Sequence, residues 1–416
     1  MSDPDLDITH SGGGDDPSPK GESAAVVALF PGTVGLAGWN WRRGRRRHTN
    51  RRAVASTQPA TASFRLRSSF WLSLICIVGS LIGCTTRGPA FSQKAGFQLG
   101  ESVVLVDEEP ATLAFRPGRK PFQVRSTYRA GLPQTMVYEP GRDYIVDYPM
   151  REIRRTPQSR IPNFRTNMLF GVEDFDHSKF PGFGNGGFFA FVDYQPAKPT
   201  RWPEQKAQTE FLTKARQKLT TGQRVKIIAY GDSITAGGDA TEPGLIFWER
   251  WAQHLRQKHP AARIEVVNGA TGGDATGQGL NRLEQKVLSQ NPNLVLIGFG
   301  MNDHNIAGFG TPLETFAANL RTMIDQIRAK TGAEIILYST FPPNPKWHYG
   351  SHNMAAYASA TEQVAREKGC AFADVYRNWN TIAVKKKPED LLSNNINHPN
   401  DFGHGVYFRV FELLGL

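Results

Sequence analysis

Four short polar segments in the second half of the chain contain the residue types that ester hydrolysis requires. They are Gly231–Ser233, Gly273–Asp274, Gly300–Asp303 and Asn397–Pro399. Acyl transfer needs an activated hydroxyl, a base that titrates near neutral pH, and N–H donors that face the tetrahedral oxygen. The hydroxyl would come from Ser233, the base would be His398, and the donors would be the backbone N–H groups of Ser233 and Gly273 and the amide of Asn302.

The first three segments each follow an apolar run that is typical of a strand. From Arg224 onward such runs alternate with helical patterns, and the clearest helical pattern begins at Thr311-Pro312. This alternation predicts a parallel sheet with helices on both faces, in which ligands bind at the carboxyl ends of the strands. The five strand-like runs are 225–230, 264–267, 294–299, 335–338 and 371–375.

In this order, the four segments resemble the sequence blocks of the SGNH, or GDSL-type, hydrolases, over about 190 residues from Arg224 to the end. The resemblance implies a flavodoxin-like α/β fold and a serine esterase that needs no cofactor. It also implies that Ser233 is the nucleophile and His398 the general base. The oxyanion hole would combine Ser233, Gly273 and Asn302.

One position departs from the family pattern. The family usually has an aspartate three residues before the histidine, where it orients the imidazole, and this chain has Asn395 there, preceded by Asn394. An asparagine carbonyl accepts a hydrogen bond but cannot stabilise imidazolium by charge. Three explanations stay open: a Ser-His dyad, replacement of the acid by Asp401 or a backbone carbonyl, or lost activity.

Further polar and aromatic residues are candidates for substrate binding. Trp347 and His348 follow the fourth strand-like run and would line the lip of the pocket, and His304 follows the asparagine block. His348 and His352 have a spacing that can hold a metal, but no acidic partner stands near them, and we expect no metal.

The N-terminal part has the pattern of an export signal. Seven of the eleven residues in 42–52 are arginine, and an apolar run over 70–83 ends at Cys84. The run is shorter than the ~20 residues that span a bilayer, and it resembles a bacterial lipobox, which implies acylation of Cys84. We therefore expect an exported bacterial envelope protein that faces the periplasm or lies on the cell surface. A lipid anchor would be its only attachment to the membrane, and we expect no nucleic-acid partner. The leader is long for a signal peptide, and a misassigned start codon would account for that.

Composition and turn signals divide the rest of the chain. Hydrophobic residues make up 39% of it and charged residues 21%, which excludes collagen, coiled-coil and fully disordered classes. We expect a leader, signal segment and linker over 1–96, a β-sandwich or jelly-roll-like domain over 97–195, a connector over 196–222 and the hydrolase domain over 223–416. Once Cys76 is removed with the leader and Cys84 is acylated, Cys370 remains as a buried thiol.

The combined expectation is an ester hydrolase that deacetylates a carbohydrate or glycan. Family members with attached β modules often look like carbohydrate esterases, and the pocket lip is aromatic and polar. The substrate would be a small-molecule or polysaccharide ester. Two alternatives stay open: a lipase or thioesterase of the same family, and a glycan-binding lipoprotein without activity.

Overall fold

The computed structural model describes residues 96–198 and 205–416, all within one compact unit. The predictions for the leader, the apolar run and Cys84 lie outside these residues. Among the described residues no helix has the length and apolarity that a membrane span requires.

The strands are Gln98–Val104 (β1), Ala111–Thr112 (β2), Pro117–Arg125 (β3), Val137–Tyr138 (β4), Tyr144–Asp147 (β5), Glu152–Arg155 (β6), Phe189–Pro196 (β7), Arg224–Gly231 (β8), Arg263–Asn268 (β9), Leu294–Gly298 (β10), Glu334–Tyr338 (β11) and Ala371–Ala373 (β12). The α-helices are Thr213–Thr220 (α1), Ser233–Ala236 (α2), Phe247–Lys258 (α3), Thr276–Lys286 (α4), Leu313–Thr331 (α5), Met354–Glu367 (α6), Val375–Ala383 (α7), Pro388–Leu391 (α8) and Asp401–Glu412 (α9).

The first seven strands form two antiparallel sheets, one in the order β1-β7-β3-β4 and one in the order β2-β6-β5. Side chains alternate between the two faces of a strand, and β7 is buried on both. Phe189 and Phe191 belong to the large core that the parallel sheet and its helices form, whereas Ala190 and Val192 belong to a smaller core among the antiparallel strands. This double burial explains why β7 is apolar without alternation.

The last five strands are parallel and lie in the order β12-β11-β10-β8-β9. Counted along the chain from β8, this is the 2-1-3-4-5 order of flavodoxin-like folds, whose switch point lies between the first and third strands. The structure confirms the predicted flavodoxin-like α/β architecture with flanking helices. Ser233 follows β8 and Asn302 follows β10, so both leave the sheet beside that switch point.

The antiparallel part and the parallel part are joined by buried charged groups. Glu101 on β1 accepts a hydrogen bond from Lys386 Nζ at 2.9 Å, and both side chains are fully buried. Asp390 on α8 accepts one from the backbone N–H of Val104 at 2.7 Å. These contacts fix the segment just before His398 against β1. The division into a β domain over 97–195, a connector over 196–222 and a hydrolase domain over 223–416 stays a prediction.

Candidate active site

Ser233 lies at the turn from β8 into α2. A Cβ at Gly231 would overlap the carbonyl oxygen of Gly298 on the neighbouring strand, so the turn requires glycine there. Asp232 accepts a hydrogen bond from the backbone N–H of Ile234 at 3.0 Å and thereby caps the helix. Burial raises the pKa of this carboxyl group to about 7. Asp232 therefore shapes the turn that presents the hydroxyl of Ser233.

His398 faces Ser233 from the segment between α8 and α9. The side-chain carbonyl of Asn394 accepts hydrogen bonds from the backbone N–H groups of Ile396, Asn397 and His398, each at 2.9 Å. This polar turn holds Nε2 of His398 at 2.8 Å from Oγ of Ser233. In this arrangement a neutral imidazole can take the hydroxyl proton as the oxygen becomes a nucleophile.

Two of the three predicted oxyanion donors are associated with the segment that follows β9: Gly273 lies within it, and Asn302 contacts it. Asn302 donates a hydrogen bond through Nδ2 to the carbonyl of Asp274 at 2.9 Å, which uses one of its two N–H bonds. Gly273 has a φ of +81°, and a Cβ there would meet no atom within 4 Å. The backbone of this segment also approaches the nucleophile, because a Cβ built on Gly272 would lie 3.8 Å from the Cβ of Ser233.

The residues that we expected to orient His398 have other contacts. Asn395 is buried with a φ of 59°, and its side-chain carbonyl accepts hydrogen bonds from Asn185 at 3.1 Å and Asn344 at 3.3 Å. Asn394 supports the backbone turn described above. Asp401 accepts from the backbone and hydroxyl of Thr241 at 2.9 and 2.7 Å. The alternative that Asp401 replaces the acid is wrong, because its carboxylate accepts hydrogen bonds from the loop after α2.

An acidic residue that the sequence did not suggest lies beside the ring. Oδ2 of Asp239 is 3.3 Å from Nδ1 of His398. Asp239 stands six residues after Ser233 in a Gly-Gly-Asp turn and has a left-handed φ of 59°. Aspartate is among the residues that tolerate this conformation. The two glycines and the aspartate were visible in the sequence, but nothing in the sequence linked them to a histidine 159 positions away.

The predicted substrate contacts are only partly accessible. His304 is fully buried, with Nδ1 against the carbonyl of Met301 at 2.6 Å, and burial lowers its pKa to about 4. The expectation that His304 binds substrate is therefore wrong, since a fully buried ring cannot meet a ligand. Trp347 is 6% exposed and donates a hydrogen bond to His177 at 3.1 Å. His348 is exposed and pairs with Asp174 at 2.9 Å.

Comparison with known proteins identifies the parallel-sheet part. Residues 229–406 match the model of the GDSL-like lipase/acylhydrolase family. This part of the chain is therefore similar to the GDSL-like lipase/acylhydrolase family. The match begins within β8 and includes Ser233, Asn302 and His398, and it confirms the resemblance to SGNH hydrolases that the four polar segments indicated.

Three curated proteins are similar to parts of this chain. An arylesterase of Vibrio mimicus is 34% identical over 119 residues, which are 29% of this chain and 56% of the arylesterase. An acetylxylan esterase of Geobacillus stearothermophilus is 23% identical over 208 residues, which are 46% of this chain and 94% of that enzyme. The solved structure of this esterase superposes with a TM-score of 0.41 at 24% sequence identity, and it covers the same shares of the two chains. An uncharacterized lipoprotein, YqeF of Bacillus subtilis, is 29% identical over 181 residues, 41% of this chain and 71% of that protein. The chain thus spans about half the length of the arylesterase.

Proposed function

We propose that this protein is a serine esterase that removes acetyl groups from a polysaccharide or glycan. The observation that carries the proposal is the 2.8 Å distance between Oγ of Ser233 and Nε2 of His398, beside Asn302 at the carboxyl end of the sheet. The acetylxylan esterase relative, of which the chain covers 94%, supports an acetylated sugar as the substrate class.

The proposed reaction has two acyl-transfer steps. His398 accepts the hydroxyl proton while Oγ of Ser233 attacks the acetyl carbonyl, and the tetrahedral oxygen receives hydrogen bonds from the N–H groups of Ser233, Gly273 and Asn302. Collapse breaks the ester bond, and the imidazolium returns its proton to the departing sugar oxygen. A water molecule then attacks the acetyl-enzyme by the same route in reverse and releases acetate.

Aromatic side chains on the loops that follow β10 and β11 support a sugar substrate. Phe309 is 61% exposed on the loop after Asn302, and its ring meets Tyr349 edge-on at 5.0 Å. Tyr349 follows Trp347 and His348, the residues that we expected at the lip. Exposed aromatic faces next to polar groups suit the apolar and polar faces of a sugar ring.

The proposed location is the bacterial envelope, with Cys84 as the lipidated residue. The lipobox-like pattern over 70–84 and the lipoprotein name of the Bacillus subtilis relative support this proposal. Mass spectrometry of the protein from cell membranes should show a mature chain that begins at an acylated Cys84. An intact segment 1–83 in that protein would contradict it.

The test of the proposed activity uses Ser233→Ala. We expect the variant to lose at least about 10³-fold in kcat on p-nitrophenyl acetate and acetylated xylan, because only the hydroxyl can form the acetyl-enzyme. Ser289→Ala, which removes an exposed hydroxyl that bonds the carbonyl of Gln285, is the matched control and should keep the wild-type rate. A wild-type enzyme that cleaves p-nitrophenyl palmitate faster than the acetate would favour the lipase or thioesterase alternative. Undiminished hydrolysis by Ser233→Ala would contradict the proposal.

A further inference from the structure

We infer that Asp239 is the residue that positions His398, so that the acid of the catalytic triad has moved from the position of Asn395 to the loop after α2. The inference rests on the proposed function in assigning the base role to His398. It is based on the surroundings of one ring nitrogen.

Nδ1 of His398 is buried and has no hydrogen-bond partner among the residues that the structure describes. Buried polar atoms nearly always have a partner, because desolvation without one costs about 1–3 kcal/mol. The carboxylate of Asp239 is the charged group within reach, at 3.3 Å, although the ring N–H does not point directly at its oxygen. A small rotation of this side chain, which is 38% exposed, would complete the bond.

Hydrogen bonds before and after Asp239 in the chain hold its loop beside the imidazole. Gly238 donates its backbone N–H to the carbonyl of Ser233 at 2.8 Å, and a Cβ on Gly238 would lie 3.1 Å from Nδ1 of His398. The backbone can therefore approach the ring only with glycine at this position. Beyond Asp239, the loop is tied to α9 by the two hydrogen bonds from Thr241 to Asp401.

Asn395, which stands where the family usually has the acid, makes other hydrogen bonds. Asn395 receives hydrogen bonds from Asn185 and Asn344 through its side-chain carbonyl, and Asn344 also donates to its backbone carbonyl at 2.9 Å. The side chain thus joins buried amides that fix the backbone of the histidine segment. Asn395 holds the loop while Asp239 supplies the negative charge.

With a carboxylate beside Nδ1, the ring keeps its proton on Nδ1 and presents a bare Nε2 to Ser233. An amide in place of the carboxylate can donate to Nδ1 and so stabilise the wrong tautomer. Two other titratable groups influence His398 electrostatically, namely Asp232 from the α2 turn and His404 from α9. Removing the charge of Asp239, which raises the pKa of His404, leaves that ring neutral.

The experiment compares Asp239→Asn and Asp239→Glu with a charge-matched control, Glu242→Gln. Glu242 lies on the same loop, is 34% exposed and pairs with Arg129 at 3.1 Å. Two rates are measured from pH 5 to 9: kcat/KM on p-nitrophenyl acetate, and the labelling of Ser233 by a fluorophosphonate probe. The labelling rate reports the activated serine whatever ester the enzyme uses, so a wrong substrate assignment would not obscure the role of Asp239.

We expect Asp239→Asn to lower both rates at least about 10-fold, short of the ~10⁴-fold loss for a fully buried triad acid. Its acid-side midpoint of activity should move to lower pH, because the protonated imidazole loses a favourable charge. Asp239→Glu should restore part of the rate, and Glu242→Gln should match the wild type. Adding Asn395→Asp to Asp239→Asn should restore nothing. Two results would overturn the inference. The first is an Asp239→Asn variant whose rates stay within twofold of wild type and whose acid-side midpoint does not move. The second is a recovery of the rates in the double variant.

Discussion

His404 is a buried histidine that supports the loop beside the candidate active site. Its Nε2 lies 3.2 Å from the carbonyl of Gly238, and its ring stacks on Phe247. Burial, aided by the charge of Arg250, lowers the pKa of His404 to about 3. The imidazole is therefore neutral in the folded protein at any pH at which the enzyme would work, and Nε2–H can donate to the carbonyl.

This shift predicts a pH-dependent stability. In the unfolded chain His404 binds a proton below about pH 6.5, while the folded protein resists protonation down to about pH 3. The stabilisation by neutral His404 is therefore complete above pH 6.5 and is lost as the pH falls, by on the order of 2 kcal/mol between pH 7 and 5. Asp232, with its raised pKa, acts in the opposite direction, so the test must compare variants.

Urea denaturation at pH 7 and 5 measures the effect. From pH 7 to pH 5, the free energy of unfolding of His404→Gln should fall by about 2 kcal/mol less than that of the wild type. Ser289→Ala, which removes an exposed hydroxyl that does not titrate in this range, should keep the wild-type dependence. Equal pH dependence in wild type and His404→Gln would show that His404 is not the group responsible.

At the scale of elements, the aromatic and glycine-rich loop over 180–188 is a support for the histidine segment. The structure shows that this loop makes packed contacts. Asn185 is fully buried, donates its side-chain amide to the carbonyl of Leu392 at 2.8 Å, and donates its backbone N–H to Ser393 at 2.6 Å. The antiparallel part thus reaches the segment that carries His398.

These contacts predict that Asn185→Ala affects both stability and catalysis. Removing the amide leaves buried carbonyls without donors, at about 1–3 kcal/mol, and it releases the turn that aims His398. We expect a lower free energy of unfolding and a several-fold lower kcat on p-nitrophenyl acetate. Asn353→Ala, at an exposed position before α6, should change neither. A destabilised variant with unchanged kcat would limit Asn185 to a structural role.

At the scale of the whole molecule, the antiparallel strands and the parallel-sheet part share an interior. A buried charged cluster lies between them. In it, Nζ of Lys386 is 2.9 Å from Oε1 of Glu101 and 3.8 Å from Oδ2 of Asp390. Tyr194 on β7 also donates its hydroxyl to Glu101 at 2.5 Å. A buried charge that loses its partner is far more costly than a buried pair.

We therefore expect Lys386→Met to destabilise the protein by about 3–5 kcal/mol. Combining it with Glu101→Gln should recover part of the loss, because the remaining carboxylate is then neutralised. Both parts should unfold together in one urea transition, followed by tryptophan fluorescence and far-ultraviolet circular dichroism. Two separate transitions, with only one sensitive to Lys386→Met, would instead support an independent β domain.

Sequence patterns predicted the parallel fold and three of the residues assigned to the candidate site, namely Ser233, Asn302 and His398. Strand-like runs and helical periodicity are local patterns, so the sheet from β8 to β12 and helix α5 could be predicted closely. Ser233 and Asn302 follow from the same logic, because the end of a parallel strand places its next residues at one edge of the sheet. The histidine was identified only through the order of the four polar segments.

Tertiary structure alone decided which groups surround the imidazole. Asp239, Asn395 and Asp401 are all short polar residues near the predicted site, and their roles depend on backbone turns and on partners far along the chain. The same holds for His304, which lies close to Asn302 in sequence but is turned into the core. Side-chain direction in a loop is set by long-range packing and hydrogen bonds, and no periodicity encodes it. The sequence therefore specifies which strand ends meet, while the folded chain specifies which side chains face each other.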